Sequence, residues 1–345
     1  KALMIQEEKI ILGGNNSLAF GTTPTPTLVA SASGGSLATQ TLSVIAVALS
    51  LEGYLNASVA GGIAAQVSRT NADGSSDNFG GGSAQKSTNA TVSVTGPNGS
   101  VAASVAVVRG AVGYAWFWGT AGSEKLGAIT TINSVSITAV AAGTQTAASL
   151  PASDNSTNAL VFDGLLSQIA KAGSNAYFAN LATGTAGTGT PLTSDNAGGI
   201  VEIDTALQSF WDNYRLGPTD IYVSSQEMAN IGKKVLAGNA NAAQRFTFTV
   251  NQGVIAGGTM VRSYLNKFSL NGAQEIPIRL HPNLPAGTIL FCSSAVPYPL
   301  SGVANVLRIL ARQDYYQIEW PLKTRKYEYG VYVDEVLQNY FPPAF

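Results

Sequence analysis

Two stretches near the C-terminus alternate strictly between apolar and polar positions. Tyr316, Ile318 and Trp320 alternate with Tyr315, Gln317 and Glu319, and Tyr327, Tyr329, Val331 and Val333 alternate with Glu328, Gly330, Tyr332 and Asp334. A period of two is the pattern of half-buried strands, so the two stretches predict a hairpin or meander joined through residues 321–326. Further upstream the period changes. Ile203, Leu207, Phe210, Trp211 and Tyr214 recur at helical spacing while Glu202, Asp204 and Asp212 face away, and Gly217-Pro218 ends the helix. A buried strand is expected at residues 221–223, followed by a helix that Ser224 and Glu227 open as a capping box and that runs to Leu236 before Gly238. Strands follow at residues 246–250, 254–265, 276–280 and 287–291, with a turn at Gly257-Gly258. Residues 1–12 read as the end of a helix stopped by Gly13, Gly14 and Asn15. Helix, strand, helix and meander together predict an α+β fold.

Between residues 24 and 158 the pattern is different. Only 9 of these 135 residues are charged, against 30 of the other 210, and short Thr/Val/Ala alternations are separated by turns at residues 71–74 and 96–99. This predicts a separate all-β unit. Residues 105–138 resemble the middle strands of a fibronectin type III or immunoglobulin-like sandwich, in which a large ring on a central strand fills the space between the sheets. Tyr114, Trp116 and Trp118 share one parity and are the core candidates, while Ala115 and Phe117 share the other. The run Gly80 to Gly82 has no following lysine at phosphate-loop spacing and reads as a flexible connection. Residues 22–26 and 149–156 read as linkers.

Composition narrows the functional classes. Nineteen basic residues are balanced by twenty acidic ones, so no strong basic field points to sequence-specific nucleic-acid binding or to a membrane surface. A single cysteine, Cys292, excludes an internal disulfide, and a single histidine, His281, must carry any triad or two-histidine metal arrangement. No zincin, CxxC or nucleophile-elbow motif accompanies it, and His281 between Asn283-Leu284-Pro285 and the preceding strand reads as a loop imidazole. The expectation is a non-enzymatic chain without cofactor or metal. No apolar run is long enough to span a bilayer, and the first residues lack the features of a signal peptide.

The run from Asp314 to Phe341, DYYQIEWPLKTRKYEYGVYVDEVLQNYF, with the Pro-Tyr-Pro-Leu-Ser-Gly turn at residues 297–302, resembles the C-terminal strands of the major capsid proteins of tailed bacteriophages. The likeness extends back to about Asn158 and includes residues 1–21. It implies that residues 1–23 are the end of a spine helix, 159–300 resemble an axial domain, 301–345 supply peripheral-domain strands, and 24–158 are an insertion. It further implies a homo-oligomer of hexamers and pentamers that assembles in the bacterial cytoplasm into the icosahedral head shell of a virion, with weak non-specific contact to packaged double-stranded DNA. The inserted sandwich would face outward, with decoration or host-surface contact open to it. The candidates for core packing or assembly are Trp211, Arg312, Trp320, Arg325, Tyr327 and Tyr329, with Trp320, Tyr327 and Tyr329 expected in a buried sheet. Arg312 or Arg325 is expected to pair with a carboxylate of a neighbouring subunit. The alternative is a secreted bacterial adhesin whose sandwich binds carbohydrate through Trp116 and Trp118; the absent signal sequence and the C-terminal likeness count against it.

Overall fold

The computed structural model describes residues 2–181, 184–237, 261–270, 272, 274–294, 296, 305–320 and 328–345. The fold is mixed α and β, with β structure dominating. The chain starts in helix α1 (Ala2–Gly13), where Gly14 N–H donates to Ile10 O at 2.7 Å and closes the last turn. Strands β1 (Thr27–Ser31) and β2 (Gln40–Leu49) come next, then a short helix α2 (Leu51–Leu55) capped by Ser50, whose side chain accepts from Gly53 N–H. The hairpin β3 (Gln66–Thr70) and β4 (Ser76–Gly80) stands apart from five further strands, β5 (Ala90–Val94), β6 (Ser100–Ser104), β7 (Gly113–Gly119), β8 (Lys125–Thr130) and β9 (Ser134–Ile137).

These strands form two antiparallel sheets packed face to face, β5-β2-β7-β8 and β1-β6-β9. Leu42, Val44, Ala46, Tyr114, Trp116 and Trp118 from the first sheet meet Val101, Ala103, Val135 and Ile137 from the second. Trp116 is wholly buried, and its indole N–H donates to Thr130 Oγ1 at 2.9 Å. Trp118 donates to Ala139 O at 2.9 Å. Its ring lies over Gly127, where a Cβ would come within 2.1 Å of the indole, so a side chain at that position would displace the ring.

The opposite parity of β7 is buried too. Phe117 and Ala115 pack with Ile45, Val47, Leu126, Ile63 and Ala147 under a third layer of irregular chain. This explains why β2 and β7 read as almost continuous apolar runs, the pattern of strands covered on both faces. It also overturns the sugar-contact expectation for Trp116 and Trp118, because both rings are buried. The chain order departs from the immunoglobulin one: with β6 to β9 read as strands B, C, C′ and E, the strands in the F and G positions are β2 and β5, which come first.

The two expected linkers are fixed rather than loose. Thr23 is buried, its N–H donates to Gln85 O at 2.9 Å, and its hydroxyl accepts from Ala48 N–H at 3.0 Å. Gly82 N–H donates to Asn155 O and Asn155 N–H donates to Ser83 O, so residues 80–83 and 155 form a hydrogen-bonded corner and not a flexible connection. Buried edge groups need partners, and these segments supply them.

The remaining chain contains α3 (Leu165–Ala170), α4 (Val201–Tyr214), β10 (Asp220–Val223), α5 (Ser225–Ala237), β11 (Ser263–Asn266), β12 (Gln274–Leu280) and β13 (Ile289–Cys292). Ile203 and Leu207 of α4 and Ile231 of α5 pack on Ile221, Val223, Ile276 and Ile278 of a four-stranded sheet. Its order is β11-β12-β10-β13, with β10 parallel to β12, which corrects the expected meander: α5 and β11 intervene in the chain before β12 pairs with β10. The Ser224 hydroxyl accepts from Glu227 N–H at 3.3 Å, while the Glu227 carboxylate accepts from Asn230. The strands expected at 246–250 and in the first part of 254–265, with the Gly257-Gly258 turn, lie outside the described residues, as do the turn at 297–302 and Gly238.

The chain closes with two long strands, β14 (Leu307–Trp320) and β15 (Glu328–Asn339), paired only with each other among the described residues. Their base is anchored: Val306, Leu337 and Phe345 are buried with Leu12, Leu165, Phe210 and Leu290. That cluster is where α1, α3, α4 and the C-terminus meet.

Candidate functional site

With 14 residues in β14, the ribbon is about 45 Å long at roughly 3.3 Å per residue. Only its base is buried. In the outer part, Tyr316 faces Tyr332, Gln317 faces Val331, Ile318 faces Gly330 and Glu319 faces Tyr329. Paired residues of an antiparallel ladder share a face, so Tyr316, Ile318, Trp320 and Tyr332 line one side and Tyr329 and Val331 the other. On the first side, the Tyr316 and Tyr332 rings stack with centroids 5.6 Å apart. The Tyr332 ring lies across Gly330, where a Cβ would meet it at 2.6 Å. The result is a flat aromatic stripe open to solvent.

The expected buried sheet is therefore corrected for two residues. Trp320 is 48% exposed and Tyr329 65% exposed, because among the described residues no second sheet packs on the two-stranded ribbon. Tyr327 and Arg325 lie outside the described residues. Within the chain the Arg312 guanidinium pairs with Asp334 across the same ribbon, with its side chain largely exposed. Trp211 is half-buried on α4, with the Arg215 guanidinium 5.7 Å above its ring, so it is only partly available to a neighbour.

Helix α1 touches the ribbon midway along its length. The Tyr315 hydroxyl donates to Glu7 Oε2, which pushes the phenol up to about 12, with weaker contributions from burial and nearby carboxylates. One residue further along α1, His281 Nε2 lies 3.2 Å from Glu8 Oε1, and His281 Nδ1 accepts from Asn283 N–H at 3.3 Å. The one histidine is thus tied into the packing of α1 and the loop after β12.

A cleft of about 720 Å³ opens beside the contact between the sandwich and the rest, lined by Val112, Tyr177, Phe178, Phe210 and Phe345 among others. Neither His281 nor Cys292 lines it. Burial, with Asp220 nearby, pushes the Cys292 thiol up to about 12, so it stays protonated and a poor nucleophile. Among the described residues no group of three His, Cys, Asp or Glu side chains gathers to hold a metal ion, and no helix is long and apolar enough to cross a membrane.

The hydrogen bonds between residues 14–23 and 154–164 mark the other organising feature. Asn15 donates to Ser156 O at 2.9 Å, Gly21 N–H to Asp154 Oδ2 at 2.7 Å, Asn158 N–H to Asn15 O at 2.8 Å, and Gly164 N–H to Gly14 O at 2.8 Å. The segments entering and leaving the sandwich run side by side.

The ribbon's alternation was readable in the sequence, but its exposure was not, because period two does not say which face is covered. Comparison of the chain with known family models, curated proteins and solved structures finds no match.

Proposed function

We propose that the chain is a self-assembling structural subunit of the kind that forms the head shell of tailed bacteriophages, in hexamers and pentamers closing around packaged double-stranded DNA. The observation that carries this reading is the C-terminal ribbon: a long, base-anchored pair of strands with Trp320, Tyr329, Val331 and Tyr332 exposed. A projecting ribbon with apolar residues on both faces is an aggregation hazard in a solitary protein and a contact surface in an assembly. Its two faces differ, which is what a head-to-tail interface with a closing rotation requires.

In this reading α1 is the end of a spine helix, residues 159–300 form the axial-domain-like part of the shell core, and residues 301–345 contribute peripheral strands. The sandwich of residues 24–158 is an insertion displayed on the outer surface, where an added domain disturbs neither genome nor lateral contacts. The adjacency of residues 14–23 and 154–164 supports the insertion, since a domain grown from one exposed loop leaves and re-enters at a single place. With balanced charge, contact with DNA is weak and non-specific.

Sedimentation velocity across a concentration series tests the reading. The wild-type chain is expected to form species heavier than a monomer, and Trp320→Ala with Tyr329→Ala to shift the distribution toward monomer while the circular dichroism spectrum is unchanged. A wild-type chain that stays monomeric at every concentration contradicts the proposal.

A further inference from the structure

The cleft beside the sandwich has two chemically different linings. Tyr177, Phe210 and Phe291 follow one another in it, with ring centroids 6.4 and 5.9 Å apart and ring planes tilted by 48° and 54°. Rings set at such angles make an apolar wall but no flat platform on which another ring could stack. Helix α5 supplies the polar lining. Gln226, Asn230, Lys233 and Lys234 recur at helical spacing and all line the cleft, while Ile231 is buried against the sheet. Among the described residues the charged groups lining the cleft are Glu202, Glu227, Lys233 and Lys234, and the two signs are differently engaged. The Glu202 carboxylate accepts from Thr193 N–H at 2.9 Å, and the buried Glu227 carboxylate accepts from Asn230 at 2.9 Å. Neither lysine forms an ion pair among the described residues, and Lys233 is exposed. The charge left uncommitted in the cleft is positive.

We propose that this cleft binds an amphiphile with one alkyl tail and an anionic head, of the fatty-acid class, with its tail along Tyr177, Phe210 and Phe291 and its carboxylate at Lys233 and Lys234. A flexible tail can follow tilted rings that a rigid planar ligand cannot match. Burial of the tail supplies most of the affinity, and the charge-assisted contact with the lysines sets the orientation. The volume of about 720 Å³ lies within the roughly 300–1,000 Å³ of small-molecule sites. Val112 and Ile132 of the sandwich line the same cleft as α4 and α5, so an occupant is held between parts of the protein and has to leave any bilayer to enter. The ligand is therefore the free acid and not a lipid within a membrane. The exposed ribbon residues Trp320, Tyr329 and Tyr332 do not line the cleft, so the site is independent of the assembly reading.

Isothermal titration calorimetry of the full chain with dodecanoate, kept below its micelle concentration, tests the site. Saturable binding of one dodecanoate per chain is expected. Acetate, which has the head without the tail, and dodecyltrimethylammonium, which has the tail with the opposite charge, are expected not to saturate over the same range. The Lys233→Gln, Lys234→Gln double variant should bind dodecanoate about tenfold more weakly, the loss of two exposed charge contacts, with its circular dichroism spectrum unchanged. The Trp320→Ala, Tyr329→Ala variant should bind as the wild type does, which separates the cleft from the aromatic stripe of the ribbon. Phosphatidylglycerol vesicles should not carry the wild-type chain down on sedimentation. Absence of saturable dodecanoate binding, equal binding of the cationic amphiphile, undiminished affinity in the lysine variant, loss of binding in the ribbon variant, or co-sedimentation with the vesicles overturns the proposal.

Discussion

Ser17 and Asp163, 146 residues apart in the sequence, are joined by a hydrogen bond of 2.7 Å from the serine hydroxyl to Asp163 Oδ2. Asp163 Oδ1 also accepts from the backbone N–H groups of Asn16 and Ser17, both at 2.9 Å, and Lys171 pairs with Oδ2 at 2.6 Å. One carboxylate thus fastens the segment that enters the sandwich to the segment that leaves it.

Asp163→Ala removes these bonds together and is expected to cost about 1.5–3 kcal/mol, the range for hydrogen bonds to a charged group. Burial works to raise this carboxyl, but the bonds from Lys171 and Ser17 outweigh it and hold it below the ordinary value of 3.8. A folded-state value below the unfolded one means the contribution is complete above about pH 4 and is lost as pH falls through the depressed value. Thermal unfolding of wild type and variant at pH 7 and pH 3 checks both statements: the gap between them should narrow at the lower pH.

Two tryptophans are expected to behave oppositely. Trp116 is wholly buried between the sheets, and Trp116→Ala should destabilise by about 3–5 kcal/mol. Trp320 is half open on the outer ribbon, and Trp320→Ala should change monomer stability by no more than about 0.5 kcal/mol while weakening association. Urea titration of both variants separates them; a large loss of stability in Trp320→Ala would mean the ribbon is covered within the chain.

Legibility in the sequence depends on what each residue pattern encodes. Ile203, Leu207 and Phe210 fall on one helical stripe and are the buried face of α4, because an isolated helix has a single stripe to hide. Tyr114, Trp116 and Trp118 are recognisable as one strand face, yet the burial of Ala115 and Phe117 opposite them depends on the irregular layer near Ile63 and Ala147, which has no period to read. The placement of β10 between β12 and β13 is likewise invisible, since pairing partners distant in sequence leave no local trace. For the candidate surface, Tyr316 and Tyr332 are legible as strand residues, but the stacking of their rings depends on register, and the pairing of Arg312 with Asp334 across the ribbon depends on it too.

Replacing residues 24–152 with a short Gly/Ser linker tests the insertion. Because Gly21 and Asp154 are hydrogen-bonded neighbours, the closure needs little chain, and the remainder is expected to fold. It should be less stable than the whole, since Leu51 and Val112 of the deleted part pack against the cluster around Leu165 and Phe210, and the Arg109 guanidinium covers Phe178. A cooperative thermal transition at reduced temperature is the expected outcome; an unfolded remainder would mean that residues 24–152 are part of one indivisible core.

Negative-stain electron microscopy of the purified chain bears most directly on the central claim. Closed shells, curved sheets or six-membered rings are predicted, with particles lost in the Trp320→Ala, Tyr329→Ala double variant. A uniform field of isolated particles the size of one 35.5 kDa chain, unchanged at high protein concentration, would contradict the account.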